Sequence, residues 1–217
     1  GYAERDPSSD VSGADIRRKL VISSNIAYGR VIDENDVDVC GIENITDGDI
    51  AAFRRMGRVC KLFAASRKLE RSVVAYIEPT LMTPAMPESA IPTNNNLISL
   101  TGERIGKQSF YGQGAGRFPT ASAVVGDIID IARHPDRPQP FHWEPDGAAA
   151  LLDADDHPAR FFLRSHASRE ALEQTLGKID WLPEQEGVQG GITAETTRRA
   201  LEASGAALDA VYPIFEV

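Results

Sequence analysis

Cysteine is scarce in this chain, basic charge is in deficit and long apolar runs are missing, and each shortage excludes something. Two cysteines in 217 residues allow at most one disulfide. Cys40 and Cys60 lie in apolar-flanked stretches, VDVCGI and GRVCKLF, which read as buried free thiols rather than a disulfide and point to a cytosolic compartment. Lys and Arg number 23 against 32 Asp and Glu, a net charge of −9. That balance speaks against nucleic acid and anionic membrane as partners, since either favours a basic patch. No apolar run approaches the ~18 residues of a bilayer span. No charged start leads into an apolar core and a small-residue cleavage site, so no secretory leader is expected. His134, His142, His157 and His166 show no metal-ligand spacing with each other or with cysteine, and no protein-built transition-metal site is expected. What remains is an ordinary globular composition, 42% hydrophobic and 25% charged, long enough for one or two domains with a sizeable core.

The first twenty residues, GYAERDPSSDVSGADIRRKL, concentrate the polar chemistry. Glu4, Asp6, Asp10 and Asp15 precede Lys19 in a turn-rich segment that runs into a helix. Ser12 reads as the N-cap, with Asp15 reaching back in a capping box, and the helix runs from about Asp15 to Tyr28, where Gly29 stops it. Ile16, Leu20, Val21 and Ala27 supply its apolar positions. Asp15 and Lys19, four apart, share one face, which by itself is the commonest favourable pair on a solvated helix, worth about 0.2–0.5 kcal/mol.

Further on, DVDVCGIENI (36–45) alternates as a strand. Thr46-Asp-Gly-Asp49 caps a short helix at 50–56 that ends at Gly57. VCKLFAASRK (59–68) and RSVVAYIEPTLM (71–82) read as a hairpin, and a loop studded by Pro79, Pro84, Pro87 and Pro92 follows. Residues 94–133 give more strands, a glycine-rich turn at Tyr111-Gly-Gln-Gly-Ala-Gly116 and a helix starting near Thr120. Glycines two apart allow a bulky anion to approach the backbone, although the same string also serves as a tight strand-to-helix turn. It is not a dinucleotide fingerprint, lacking the surrounding βαβ unit and its downstream acid. Residues 134–158, rich in Pro, Asp and Ala, read as a linker with little packing of its own, tacked down by Phe141 and Trp143. Strands at 159–165, 181–187, 187–193 and 211–217 with helices at 171–179 and 194–204 give a β-α-β-β-α-β order, a ferredoxin-like module. The whole is predicted to be α+β: a mixed or antiparallel sheet with helices on one face over 1–133, then the small module at 159–217.

Two strings carry a family resemblance. GYAExDPxxDVxGxDxxxKL resembles the substrate-domain signature of the homoserine dehydrogenases, and FYGxGAGxxPTASAVVxD, some ninety residues later (110–127), is similar to that family's cofactor-side turn and helix, which pack back on the nucleotide domain. The resemblance implies an NAD(P)-dependent interconversion of L-homoserine and L-aspartate 4-semialdehyde, a step toward threonine, methionine and isoleucine. It makes Lys19 the group that gives or takes the alcohol proton and Asp15 its acidic helper. Glu4 becomes the partner of the substrate ammonium, Asp10 a further acid at the substrate site, and Gly112, Gly114, Ala115 and Gly116 the cofactor-adjacent turn. An amine accepts a proton only when neutral, whereas an adjacent carboxylate favours its charged form, so Asp15 orients Lys19 rather than activates it. Arg17 and Arg18 match no functional position and read as solvated or interface residues. By the same resemblance the nucleotide-binding domain and the family's monovalent-cation ligands would lie upstream of Gly1, the 217 residues alone would be inactive, and the enzyme would be a dimer or higher. The last module looks like an ACT-type regulatory tail, but its first turn, His166-Ala-Ser-Arg-Glu170, lacks the usual Gly and Pro. That puts effector binding there in doubt and leaves association as its role. The alternative is a non-catalytic amino-acid-sensing or oligomerisation module.

Overall fold

The computed structural model describes residues 5–70, 72–136, 150–184 and 189–216. They fall into two compact units, one formed by residues 5–7 and 84–136, the other by the described residues of 8–83 and 150–216.

The larger unit is built around one long strand. Its elements are α1 (Ser8–Val11), α2 (Ala14–Tyr28), β1 (Asp38–Val39), α3 (Asp47–Arg55), β2 (Val59–Lys68) and β3 (Ser72–Met82). β3, SVVAYIEPTLM, is rich in the β-branched and aromatic residues that suit a pleated, buried surface, and Val73, Ile77, Leu81 and Met82 are completely or almost completely buried. Its antiparallel partner β2 covers one edge from Val59↔Met82 to Lys68↔Val73, the expected hairpin.

Numbering of the strands continues with β4 and β5 in the smaller unit (Asn95–Gly102 and Gly106–Gln113), then β6 (Ala150–Leu152). Along the other edge of β3 three short parallel strands are laid end to end. β6 pairs at Ser72–Val74, β1 at Tyr76 and Ile77, and the final strand β10 (Ala210–Ile214) at Leu81. Cys40 N–H donates to Ile77 C=O (2.7 Å) and Phe215 N–H to Leu81 C=O (2.9 Å). Alternate residues of a strand turn their peptide groups to the same edge, so Pro79 presents its N–H-less nitrogen there, between the registers of β1 and β10. A proline survives mid-strand because it falls at that splice; it belongs to the strand and not to the loop after it.

The C-terminal part supplies β7 (Arg160–Ser165), β8 (Ile179–Trp181) and β9 (Gln189–Thr193), with α5 (Arg169–Leu176) and α6 (Arg198–Ala203). The order β10-β7-β9-β8 is antiparallel throughout, which is the ferredoxin-like arrangement read from the sequence. β7, β9 and β10 start within two residues of their predicted places, whereas β8 meets the predicted 181–187 strand only at Trp181; residues 185–188 lie outside the described ones.

Among residues 8–83 the helices share one face, as expected: α2 packs with Ala75 and Ile77 and α3 with Leu81, alternate positions of β3 that face the same way. On β7, Phe162 packs under α3 through Phe53, whereas its neighbour Leu163 packs under Leu172 of α5, so α5 of the C-terminal segment lies on the opposite face of one continuous mixed sheet. One expectation needs correction: 134–158 is not an idle linker along its described length. β6 joins the sheet, and the turn after it is clamped by α6: Arg199 binds Asp153 and Asp156, and Arg198 binds Glu78 and Asp155. Phe141 and Trp143 lie outside the described residues.

The smaller unit holds the β4–β5 hairpin and α4 (Arg117–Arg133). Glu88 receives Lys107 at 2.5 Å and Ser99 Oγ at 2.7 Å, tying the preceding loop to the hairpin.

Candidate functional site

α2 is the element that presents Asp15 and Lys19. Its apolar residues Ile16, Leu20 and Val21 pack on Ala75 and Ile77 of β3 and on Val39 and Leu62, and Tyr28 Oη donates to Ser66 C=O at 3.0 Å. Gly29 closes the helix at φ 62°, its N–H donating to Asn25 C=O, as the sequence indicated. The start differs. Ser12 N–H donates to Ser8 C=O at 2.8 Å, so Ser12 ends α1 instead of starting α2. The N-cap is Gly13 at φ 85°, no side chain caps the helix, and Asp15 makes no capping box.

Freed from capping, Asp15 turns to Lys19, with Oδ2 2.7 Å from Nζ, each side chain 45% exposed. An ion pair this open contributes only a few tenths of a kcal/mol to the fold, and its placement is of more consequence than its strength. Asp10 is exposed on α1, three residues before Gly13, whose N–H donates to its C=O at 3.3 Å. Glu4 lies outside the described residues.

The glycine turn belongs to the smaller unit. Gly114 N–H donates to Asn94 C=O (2.9 Å), and Asn94 Nδ2 returns a bond to Ala115 C=O (3.2 Å). A side chain at Gly114 would run into the Asn96 amide, whereas Gly112 faces open space. α4 begins at Arg117, three residues before the expected Thr120 start. Its N-cap is Gly116 at φ 128°, where glycine alone is comfortable, and no side chain caps it. An uncapped 17-residue helix behind an exposed glycine backbone suits a polar or anionic group approaching closely. α4 itself is unlike a finished surface helix. At about 3.6 residues per turn, Phe118, Val124, Val125, Ile128, Ile129 and Ile131 fall on one broad arc opposite Asp127 and Asp130; Phe118 is 80% and Ile128 60% exposed.

A separate cleft of about 220 Å³ lies within the larger unit, lined among others by Tyr76, Glu78, His157, Arg160, Glu195 and Arg198. Burial pushes Tyr76 up to about 12 and, beside Asp155, raises Glu78 despite the Arg198 guanidinium. No sequence signal marked this cleft, because its walls come from β3, residues 154–161, α6 and β10. The cysteines are free, as read, but Cys40 is exposed and only Cys60 is partly buried, its thiol pushed up to about 11 by burial. Among the described residues no helix is long and apolar enough to cross a membrane.

The acid–amine pair on α2 and the glycine turn before α4 are thus carried on an α+β scaffold. The family model of homoserine dehydrogenase matches residues 1–129, and the chain belongs to the homoserine dehydrogenase family. A homoserine dehydrogenase of Neisseria gonorrhoeae is 34% identical over 214 residues, covering 91% of this chain and 48% of that protein. One from Bacillus subtilis is 37% identical over 134 residues, 62% of this chain and 31% of that protein. Among solved structures, a homoserine dehydrogenase from Thiobacillus denitrificans superposes with a TM-score of 0.85 at 25% identity, over all of this chain and 56% of that one. The chain thus spans about half the length, or less, of the relatives it matches.

Proposed function

We propose that this chain is the substrate-holding and proton-transferring portion of an NAD(P)-dependent homoserine dehydrogenase, interconverting L-homoserine and L-aspartate 4-semialdehyde in the biosynthesis of threonine, methionine and isoleucine. The observation that carries the reading is the 2.7 Å Lys19–Asp15 pair inside the string that matches the family's substrate signature. Lys19 takes the proton from the C4 hydroxyl as the alcohol is oxidised and returns it in the reverse direction. Asp15 holds the Lys19 amine in place. Glu4 and Asp10 are assigned to the substrate, Glu4 facing its ammonium as a carboxylate naturally does. The dinucleotide, when bound, carries the hydride to or from C4, and Gly112, Gly114, Ala115 and Gly116 would hold its edge. A relative from Pseudomonas canavaninivorans, 39% identical over 140 residues, is named as NAD(+)-dependent; the choice between NAD and NADP is left to the assay. The apolar arc of α4 is assigned to the nucleotide-binding part of the enzyme, which covers it. The enzyme works in the cytoplasm as a dimer or larger assembly.

The test is homoserine oxidation followed through reduced cofactor, with NAD and then NADP, on the full-length enzyme carrying this segment and on the 217 residues alone. Activity is expected in the full-length protein only. A well-folded full-length protein inactive with both cofactors would overturn the reading. A second reading, residues 159–217 as an ACT-like amino-acid-sensing or association module, is favoured by the ferredoxin-like order and by the cleft with both charge signs in its walls. Calorimetric titration of the full-length protein with a panel of amino acids, repeated on Arg198→Ala, tests it. Binding lost in that variant is expected on this reading, and no binding by the parent protein sinks it.

A further inference from the structure

We propose that Gly13 is a positioning residue for the reaction, fixing where Asp15 and Lys19 stand by allowing the start of α2 to lie directly on the sheet; the inference rests on the reading that Lys19 transfers the proton. Gly13 is buried and left-handed, at φ 85°. A Cβ there would lie 2.8 Å from Val39 Cγ1 on β1 and 3.3 Å from Ile77 Cγ2 on β3, with Leu62 Cδ2 of β2 at 3.8 Å. Any other residue must therefore push the start of α2 off Val39 of β1 and crowd Ile77 of β3, with Leu62 of β2 left at ordinary contact, in a backbone conformation that side chains resist.

The displacement has few ways to relax. Upstream, Ile42 N–H donates to Val11 C=O at 2.9 Å, pinning the chain two residues before Gly13. That pin rests on a second close approach, since a Cβ at Gly41 would lie 2.6 Å from the same Val11 carbonyl oxygen. Downstream, Gly13 C=O accepts the first helical bond, from Arg17 N–H at 3.0 Å, and Ile16 and Leu20 are packed on the sheet. A shift at Gly13 therefore passes into the turn that carries Asp15 and, one turn on, Lys19. Misplacement of a catalytic group by about 1 Å costs on the order of 100-fold in rate.

The experiment is made on the full-length enzyme with Gly13→Ala, Gly13→Ala/Val39→Ala and Lys19→Ala, reading kcat, KM for homoserine, melting temperature and the rate of reductive methylation of Lys19 by peptide mass spectrometry. In Gly13→Ala, kcat is expected to fall on the order of 100-fold, with a much smaller change in KM and an altered Lys19 methylation rate. Removing the Val39 γ-methyls makes room for the new Cβ, so the double variant is expected to regain at least about 5-fold of the lost kcat although its core is emptier. Mere loss of stability predicts the reverse, since a second core truncation would worsen it. Gly13→Ala within about 3-fold of the parent kcat, or a double variant no better than the single one in kcat and methylation rate, overturns the proposal. Should Gly13→Ala fail to fold, the double variant decides: a folded double with kcat near the parent's supports the clash, and an unfolded one overturns it. Lys19→Ala separates the two readings: full activity there removes Lys19 from the chemistry, while methylation rates still report whether Gly13 places its side chain.

Discussion

Lys19 and Asp15 are close enough to work together and too exposed to matter to the fold. That combination makes a sharp prediction for the full-length enzyme. Lys19→Ala is expected to lower kcat by about 100-fold or more while leaving the melting temperature within the effect of a pair worth about 0.2–0.5 kcal/mol. Asp15→Asn, which keeps the shape and loses the charge, should cost less in kcat than Lys19→Ala; steady-state kinetics beside thermal melts check both. Asp49 behaves in the opposite way, being fully buried. It accepts from Arg164 Nε (2.7 Å), from Tyr212 Oη (3.2 Å) and from Thr46 N–H and Oγ1 (3.0 and 2.7 Å). Burial pushes its carboxyl up, but the Thr46 bonds and the Arg164 guanidinium outweigh burial and hold it below the usual carboxylate range. A lowered folded value means the stabilisation is complete above the unfolded value, about 3.9, and is lost as pH falls through the folded one. Asp49→Asn should therefore destabilise by about 3 kcal/mol near neutrality, and the gap from the parent should close below about pH 3.9. Melting curves across pH test the sign, and a gap that widens toward acid would refute it. Glu78, raised by burial, acts in the other direction over its own window, favouring the fold as it takes up a proton.

Among the elements, those written in short-range pattern were legible in advance. The Thr46–Asp49 capping box forms with both bonds in place. The β2–β3 hairpin is nearly where its two β-rich runs put it, and Gly29 ends α2 as its position demanded. What the sequence hid are features made by distant partners. DVDVCGIENI alternates over ten residues yet only Asp38 and Val39 pair, because the edge of β3 available to them is shared with β6 and β10. The N-cap was misread because Ser12 and Asp15 have the spacing of a capping box, while the deciding contact is between Gly13 and Val39, twenty-six residues later. α4 was legible as a helix but not in its exposure. If the nucleotide-binding part covers its apolar arc, Ile128→Asp in the full-length enzyme should raise KM for the dinucleotide or lower kcat by about 10-fold or more, since a charge buried without a partner costs several kcal/mol. In the 217 residues alone the same change should leave the melting temperature unaltered. Kinetics and melts on the two lengths together provide the check.

For the whole molecule, the sheet is one object. Residues 159–217 have the order of a separable module, but β10 pairs with β3 and β7, while Phe53 of α3 packs edge-on against Phe162 and Tyr212 with ring centroids 5.6 and 5.1 Å away. Removing 159–217 would strip that aromatic cluster and leave the Asp49 charge buried without Arg164. The truncated full-length protein is therefore expected to be insoluble or molten, read by circular dichroism and yield. A cooperative melt in the truncated chain would show the catalytic part to be self-sufficient. The order of strands in this segment was visible because each β-α-β step is local. Its fusion to β3 joins residues 81 and 214, and no local pattern announces a pairing at that range.

The end-to-end strands on β3 also set rules for recombination. A chimera that exchanges C-terminal parts between relatives at the low-complexity stretch near residues 134–149 would look harmless in an alignment. It would nevertheless put a foreign β6, β10 and Arg164 against a resident β3, Pro79 and Asp49. Viable crossovers should be those in which these positions travel as one inherited set, so the gene's natural breakpoints are expected to avoid the place where the chain looks most like a seam.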